Sequence, residues 1–122
     1  MMVDKLVAYL LIFLFYAIFL LLSGLSYAAR TRKTKRFFGY RTPLSLESES
    51  QWMYANLLAA KLSLWLAHIF IALSFVLLYF MGNSMNIGTF VLLLSFIQLI
   101  LFLFLIFSIE RKLKQRKSEN KQ

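Results

Sequence analysis

Three apolar stretches separated by short polar and basic ones set the pattern of this chain. Residues 6–28 give 23 positions without a charge, 62–81 give 20 in which His68 is the most readily ionised, and 87–109 give 23 in which Gln98 is the most polar. At about 1.5 Å per residue, helices of these lengths reach about 30–34 Å, enough to cross a hydrocarbon core of about 30 Å. The pattern predicts an all-α membrane protein with three transmembrane helices, organised as one membrane domain over 1–122. Gly82, Asn83, Ser84, Met85 and Asn86 form a short uncharged connection of turn formers, so the second and third spans are expected to make a tight hairpin. The first run reads as a retained span. It is longer than the apolar core of a signal peptide, and its positive charges follow it instead of preceding it.

The basic residues give the expected direction. Seven of the fourteen Lys and Arg fall in 29–61 (Arg30, Arg32, Lys33, Lys35, Arg36, Arg41 and Lys61), and six fall after 109 (Arg111, Lys112, Lys114, Arg116, Lys117 and Lys121). Only Lys5 remains, ahead of the first span. Three crossings put both clusters on one side, which the positive-inside rule makes cytoplasmic, with the N-terminus outside. The net charge of +9 is then matched to anionic lipid headgroups. The clusters hug the apolar runs and lack interleaved aromatic side chains, so nucleic acid is not expected as a partner. There are no cysteines and there is one histidine, which leaves no thiolate chemistry and no multi-histidine metal site within a chain. No span carries a carboxylate, so neither catalysis nor a cofactor is expected.

The 29–61 segment predicts a cytoplasmic loop followed by an interfacial helix. Gly39 permits a tight turn, and Pro43 biases Thr42 away from helix. Ser45 or Ser48 can cap a helix starting near Glu47, and Ser48 with Gln51 has capping-box spacing. Glu47 and Glu49 then sit near the positive end of the helix dipole. With no breaker before Gly82, the helix is expected to bend or run directly into the second span. At 100° per residue, Trp52, Asn56, Ala59, Ser63, Ala67, Phe70 and Ser74 share one face, and four of these are Ala or Ser. Small residues at this spacing let backbones approach closely in lipid. The expected counterpart on the first span is the pair Gly24 and Ala28, with Ser23 and Ala29 beside them.

Within the loop, Gly39, Tyr40, Arg41, Thr42, Ser45, Glu49, Trp52, Ala55 and Asn56 stand at spacings that resemble the signature of the SdpI family, bacterial membrane proteins named for immunity to a secreted peptide toxin. The chain resembles the C-terminal half of the founding member. That resemblance implies a multi-pass protein of the bacterial plasma membrane that confers resistance to a membrane-active peptide toxin or bacteriocin. It also implies a signalling role through recruitment of a repressor. An alternative of another class is a non-catalytic accessory subunit of a larger transporter or cell-envelope complex. Partners expected on these readings are anionic lipid, a peptide toxin, a membrane or cytoplasmic protein, or further copies of the chain.

Simple roles suit the motif. Arg41 can pair with Glu47, Glu49 or a lipid phosphate. Trp52 suits the headgroup boundary. Asn56 can cap a loop carbonyl or bridge to the first span. The motif thus reads either as a clip holding the loop to the membrane or as a recognition surface. His68 is expected to stay neutral and bond to the third span, with Gln98 a candidate partner. Gln98 and Ser95 read as interhelical glue. Residues 102–107 are expected to face lipid, and 110–122 to be a solvated, frayed helix end.

Overall fold

The computed structural model describes residues 5–30, 39–81 and 84–120. Three α-helices make up the fold: α1 (Lys5–Ala29), α2 (Glu49–Met81) and α3 (Ile87–Asn120). No strand occurs among the described residues, and each helix is long and apolar enough to cross a membrane. The expected spans lie inside the helices, but α2 and α3 continue well past them. At 33 and 34 residues, each measures about 50 Å, so about 20 Å of each exceeds the hydrocarbon core. The basic cluster at Arg32, Lys33, Lys35 and Arg36, with Gly82, Asn83 and Lys121, lies outside the described residues.

Local chemistry sets the helix starts. Ser48 caps α2, its Oγ accepting the Gln51 amide at 3.0 Å. Asn86 caps α3, its Oδ1 accepting the Thr89 amide at 2.8 Å. The Ser48–Gln51 box is only half made. The Gln51 side chain turns away to α3, where its Nε2 donates to the Leu113 carbonyl at 3.2 Å.

The bundle is held by seams of about 3.5-residue period, the spacing that keeps one stripe facing a neighbour along its length. On α2 the buried positions Trp52, Asn56, Ala59, Ser63, Leu66, Phe70 and Ser74 step by four or three residues. On α1 they are Ala8, Ile12, Phe19, Ser26 and Ala29. Phe19 is the centre of the bundle, its ring 5.7 Å from that of Phe70 on α2 and 4.8 Å from that of Phe102 on α3. Interhelical hydrogen bonds reinforce the seams: Ser23 Oγ donates to the Ala60 carbonyl at 2.7 Å, and Gln98 Nε2 to the Phe15 carbonyl at 2.9 Å. Large apolar side chains such as Leu14, Trp65, Leu92 and Phe107 point outward. Lipid tails are as apolar as these groups, so their exposure carries no penalty in a bilayer.

Several expectations need correction. Residues 102–107 do not all face lipid, since Phe102 packs on Phe19 and Leu105 is buried. Gly24 and Ala28 are exposed, and a Cβ built on Gly24 meets nothing within 4 Å. Both lie two residues, or about 200° of helix, from the buried Ser26. The bulky Ile12 and Phe19 set the register of α1, which leaves Ser23, Ser26 and Ala29 to make the close approach. His68 does not reach α3. Its Nδ1 stands 2.8 Å from the Leu64 carbonyl of its own helix and its ring lies edge-on to Tyr16 at 6.2 Å. A carbonyl only accepts, so Nδ1 carries the proton.

Nor is the described part of the tail after Ile109 a frayed end. Leu113 is fully buried, continuing the four-residue step of Leu105 and Ile109. Arg116 donates to Gln51 Oε1 at 3.2 Å and Ser50 Oγ at 2.8 Å, and lies 4.2 Å over the Tyr54 ring. Lys117 pairs with Glu47 at 2.8 Å. The α2 start and the α3 end therefore form a two-helix stub.

Candidate functional site

The site is the described part of the loop, residues 39–48, seated where the ends of α1 and α2 meet α3. Gly39 has φ +107°, the left-handed region in which a side chain is strained. It also has no room: a Cβ there would stand 2.7 Å from the Ala29 Cβ and 2.7 Å from Asn56 Oδ1. The backbone thus passes directly between the last turn of α1 and the side chain of Asn56.

Asn56 clamps that backbone. Its Oδ1 accepts the Tyr40 amide at 2.7 Å, and its Nδ2 donates to the carbonyls of Tyr40 at 3.3 Å and Trp52 at 3.0 Å. One side chain, fully buried, thereby satisfies both backbone groups of Tyr40, and a carboxylate in its place would meet two carbonyls with no proton to offer. Replacing Asn56 with Ala is expected to lower stability by about 1–3 kcal/mol, the usual penalty for leaving a buried donor unmet. Hydrogen exchange read at the Tyr40 amide should be accelerated in the same variant.

The next turn closes on itself. Thr42 N donates to Ser45 Oγ at 2.8 Å, and Ser45 N to Thr42 Oγ1 at 3.3 Å, reciprocally as in a capping box. Pro43 follows Thr42 at the position where its fixed φ suits a helical turn. The buried Ser45 hydroxyl has the carbonyls of Thr42 at 2.9 Å and Tyr40 at 3.3 Å as acceptors for its one proton. Two bonds tie the loop to α3: Thr42 Oγ1 donates to Glu110 Oε2 at 3.1 Å, and the Tyr40 hydroxyl to the Ile106 carbonyl at 3.4 Å. Burial, and after it the charge of Glu110, push the Tyr40 phenol above its ordinary range. Tyr40 therefore remains a neutral donor at physiological pH.

Trp52 is not at a headgroup boundary. It is fully buried, and its indole N–H donates to the Ala29 carbonyl at 2.6 Å. The last carbonyls of a helix lack intrahelical partners, and Trp52 supplies one from the neighbouring helix. Arg41 is exposed and stands 5.6 Å over the Trp52 ring, close enough for a cation–π contact. Ala55 is buried beside this cluster and Glu49 is exposed in the first turn of α2. The signature residues thus divide. Gly39, Tyr40, Thr42, Ser45, Trp52 and Asn56 converge, whereas Arg41 and Glu49 present charge at the surface. Glu110, which no sequence motif marks, and Gln51, marked only as half of a capping box, belong to the same assembly. The signal was the apolar Leu113 among basic neighbours, which shows that α3 keeps a packing face beyond its span.

Among the described residues, no group of three His, Asp or Glu side chains is placed to hold a metal. What this geometry does is tie the ends of three helices through backbone and side-chain hydrogen bonds, while holding a cation and a carboxylate outward. Fold and site together define a multi-pass helical membrane protein whose first and second helices are joined by a clamped polar loop. The family model of the SdpI/YfhL protein family matches residues 31–109, taking in the loop, α2 and α3 as far as Ile109. The match covers more than half of the 122 residues, and the chain belongs to that family. No curated protein and no solved structure matches it.

Proposed function

We propose that this protein protects a bacterial cell against a membrane-active peptide toxin or bacteriocin, by binding and without catalysis. It does so in the plasma membrane, with its N-terminus outside and the loop, the stub and the C-terminus in the cytoplasm. The observation that carries the reading is membership of the SdpI/YfhL family across the loop and two spans, with Tyr40 of the loop clamped by Asn56 and the end of α1 tied to Trp52. A segment seated by such bonds suits recognition, because less ordering entropy is lost when a partner binds. The orientation is supported by the Lys and Arg count, thirteen of fourteen on one side of a three-span chain. The stub, with Arg116 and Lys117 at its surface, is where a repressor or other cytoplasmic protein would be drawn to the membrane.

Deleting the gene and re-expressing it, under challenge with peptide toxins secreted by the same species and its siblings, tests this. The deletion strain should be killed at lower toxin concentration, and the wild-type chain should restore protection. If sensitivity does not change for any such peptide, immunity is excluded. Gentle detergent extraction in the same strains distinguishes the other class of function, since a stoichiometric larger partner marks an accessory subunit.

A further inference from the structure

Two polar side chains sit together in the middle of the membrane-spanning region, and neither is fully satisfied. Tyr16 of α1 is the eleventh of 23 positions in the 6–28 apolar run, which places it near the centre of the hydrocarbon. Its ring lies edge-on to that of His68 on α2 with the centres 6.2 Å apart, so the two side chains share that depth. The Tyr16 hydroxyl makes no hydrogen bond among the described residues. Its oxygen reaches the surface of the bundle, because Ser63 Oγ is the one unpartnered side-chain oxygen or nitrogen enclosed among those residues. His68 is exposed. Its Nδ1–H is committed to the Leu64 carbonyl at 2.8 Å. Nε2, on the ring edge away from the backbone, is therefore an acceptor, and no described residue donates to it.

Lipid tails offer neither donors nor acceptors, and ionisable groups at this depth ordinarily turn to a bundle interior or a water-filled cavity. Here one group can only accept and its neighbour can donate, yet the edge-on geometry leaves them unjoined within the chain. A second copy resolves both. Because the two groups lie side by side at one depth, a two-fold axis along the membrane normal brings Tyr16 of each copy to His68 of the other. One isologous interface then makes two hydrogen bonds. The surrounding surface has the spacing of a helix-packing seam. Tyr9, Phe13 and Tyr16 step by four and three along α1, and Leu64, His68 and Phe75 by four and seven along α2. All of these except the half-buried Tyr16 are exposed. Tyr9 and Phe75 repeat the ring contact one heptad away, at 5.9 Å.

We propose that this face of α1 and α2 is a dimer interface, in which the Tyr16 hydroxyl of each copy donates to His68 Nε2 of the other. The test reconstitutes the full chain in liposomes and follows energy transfer between dyes on Ser118→Cys, an exposed position in a chain without cysteine, as the protein is diluted in lipid. The chain with Tyr16 and His68 intact should dimerise. Tyr16→Phe and His68→Phe each keep a ring and remove both bonds between copies. Each should weaken the homodimer about five- to tenfold, the strength of two such bonds in a bilayer. Donor-labelled Tyr16→Phe mixed with acceptor-labelled His68→Phe retains one bond, from Tyr16 of the second chain to His68 of the first. That mixed pair should associate about two- to threefold more tightly than either variant with itself. A bond within one chain, or to a different helix, gives no such rescue, and its absence overturns the proposal. So do variants that dimerise as well as the parent chain. A parent chain that stays monomeric at every dilution also overturns it, and leaves this face to another helix such as that of a toxin.

Discussion

Gly39→Ala is expected to destabilise the folded protein by about 2–5 kcal/mol, combining the left-handed backbone penalty with overpacking. The two obstacles are fixed. The Ala29 Cβ is carried on the last residue of α1, and Asn56 Oδ1 is held by the Tyr40 amide at 2.7 Å. Neither is the far end of a flexible side chain, so the loop backbone itself must leave its seat, and the Asn56 clamp opens with it. Unfolding in mixed micelles with increasing sodium dodecyl sulfate, followed by circular dichroism, measures the loss. Gly24→Ala in the same assay should be neutral or stabilising by up to about 1 kcal/mol, because its Cβ enters open space on a helix that prefers alanine. Equal losses for the two variants would contradict the close passage at Gly39.

Trp52→Ala is expected to lower stability by about 3–5 kcal/mol, the range for removing a fully buried large aromatic side chain. Two effects overlap in that figure, and Trp52→Phe separates them. Phenylalanine keeps most of the packing and loses the indole N–H, leaving the Ala29 carbonyl without the donor it has at 2.6 Å. The Phe variant should lose about 1–3 kcal/mol, attributable to that carbonyl. A Phe variant as stable as wild type would mean that the hydrogen bond at the end of α1 contributes nothing. In the immunity assay, both variants should protect in proportion to the folded fraction.

The three spans were legible in the chain because hydrocarbon thickness imposes a run length that few soluble segments share. The start of α2 was legible to within a few residues, near Glu47, with Ser45 and Ser48 as rival caps, and the structure gives the cap to Ser48. The face of α2 could also be traced, because Ala59, Ser63 and Ala67 recur at helical spacing and lie buried. What was not legible depends on which residue wins a shared space. Gly24 and Ala28 look like a contact pair by size, yet Phe19 and Ile12 decide which side of α1 turns inward. Trp52 has the amphipathic character of an interfacial anchor, but the open carbonyl of Ala29 gives its N–H a partner indoors. Glu110, Gln51 and Arg116 act on residues more than sixty positions away, and no local pattern announces such a pairing. The course of α3 past Ile109 was hidden by its charge, with Leu113 as the one apolar clue.

The overhang of α2 and α3 has a mechanical consequence. Both are unbroken rods joined at one end by a few residues, and their other ends are fastened together by Arg116, Gln51, Lys117 and Glu47. A small scissoring of the rods inside the bilayer must therefore strain or release those fastenings at the far tips, about 50 Å along the shafts. Whatever wedges between the helices at depth is transmitted outward as a movement of the tips, as with a pair of tongs.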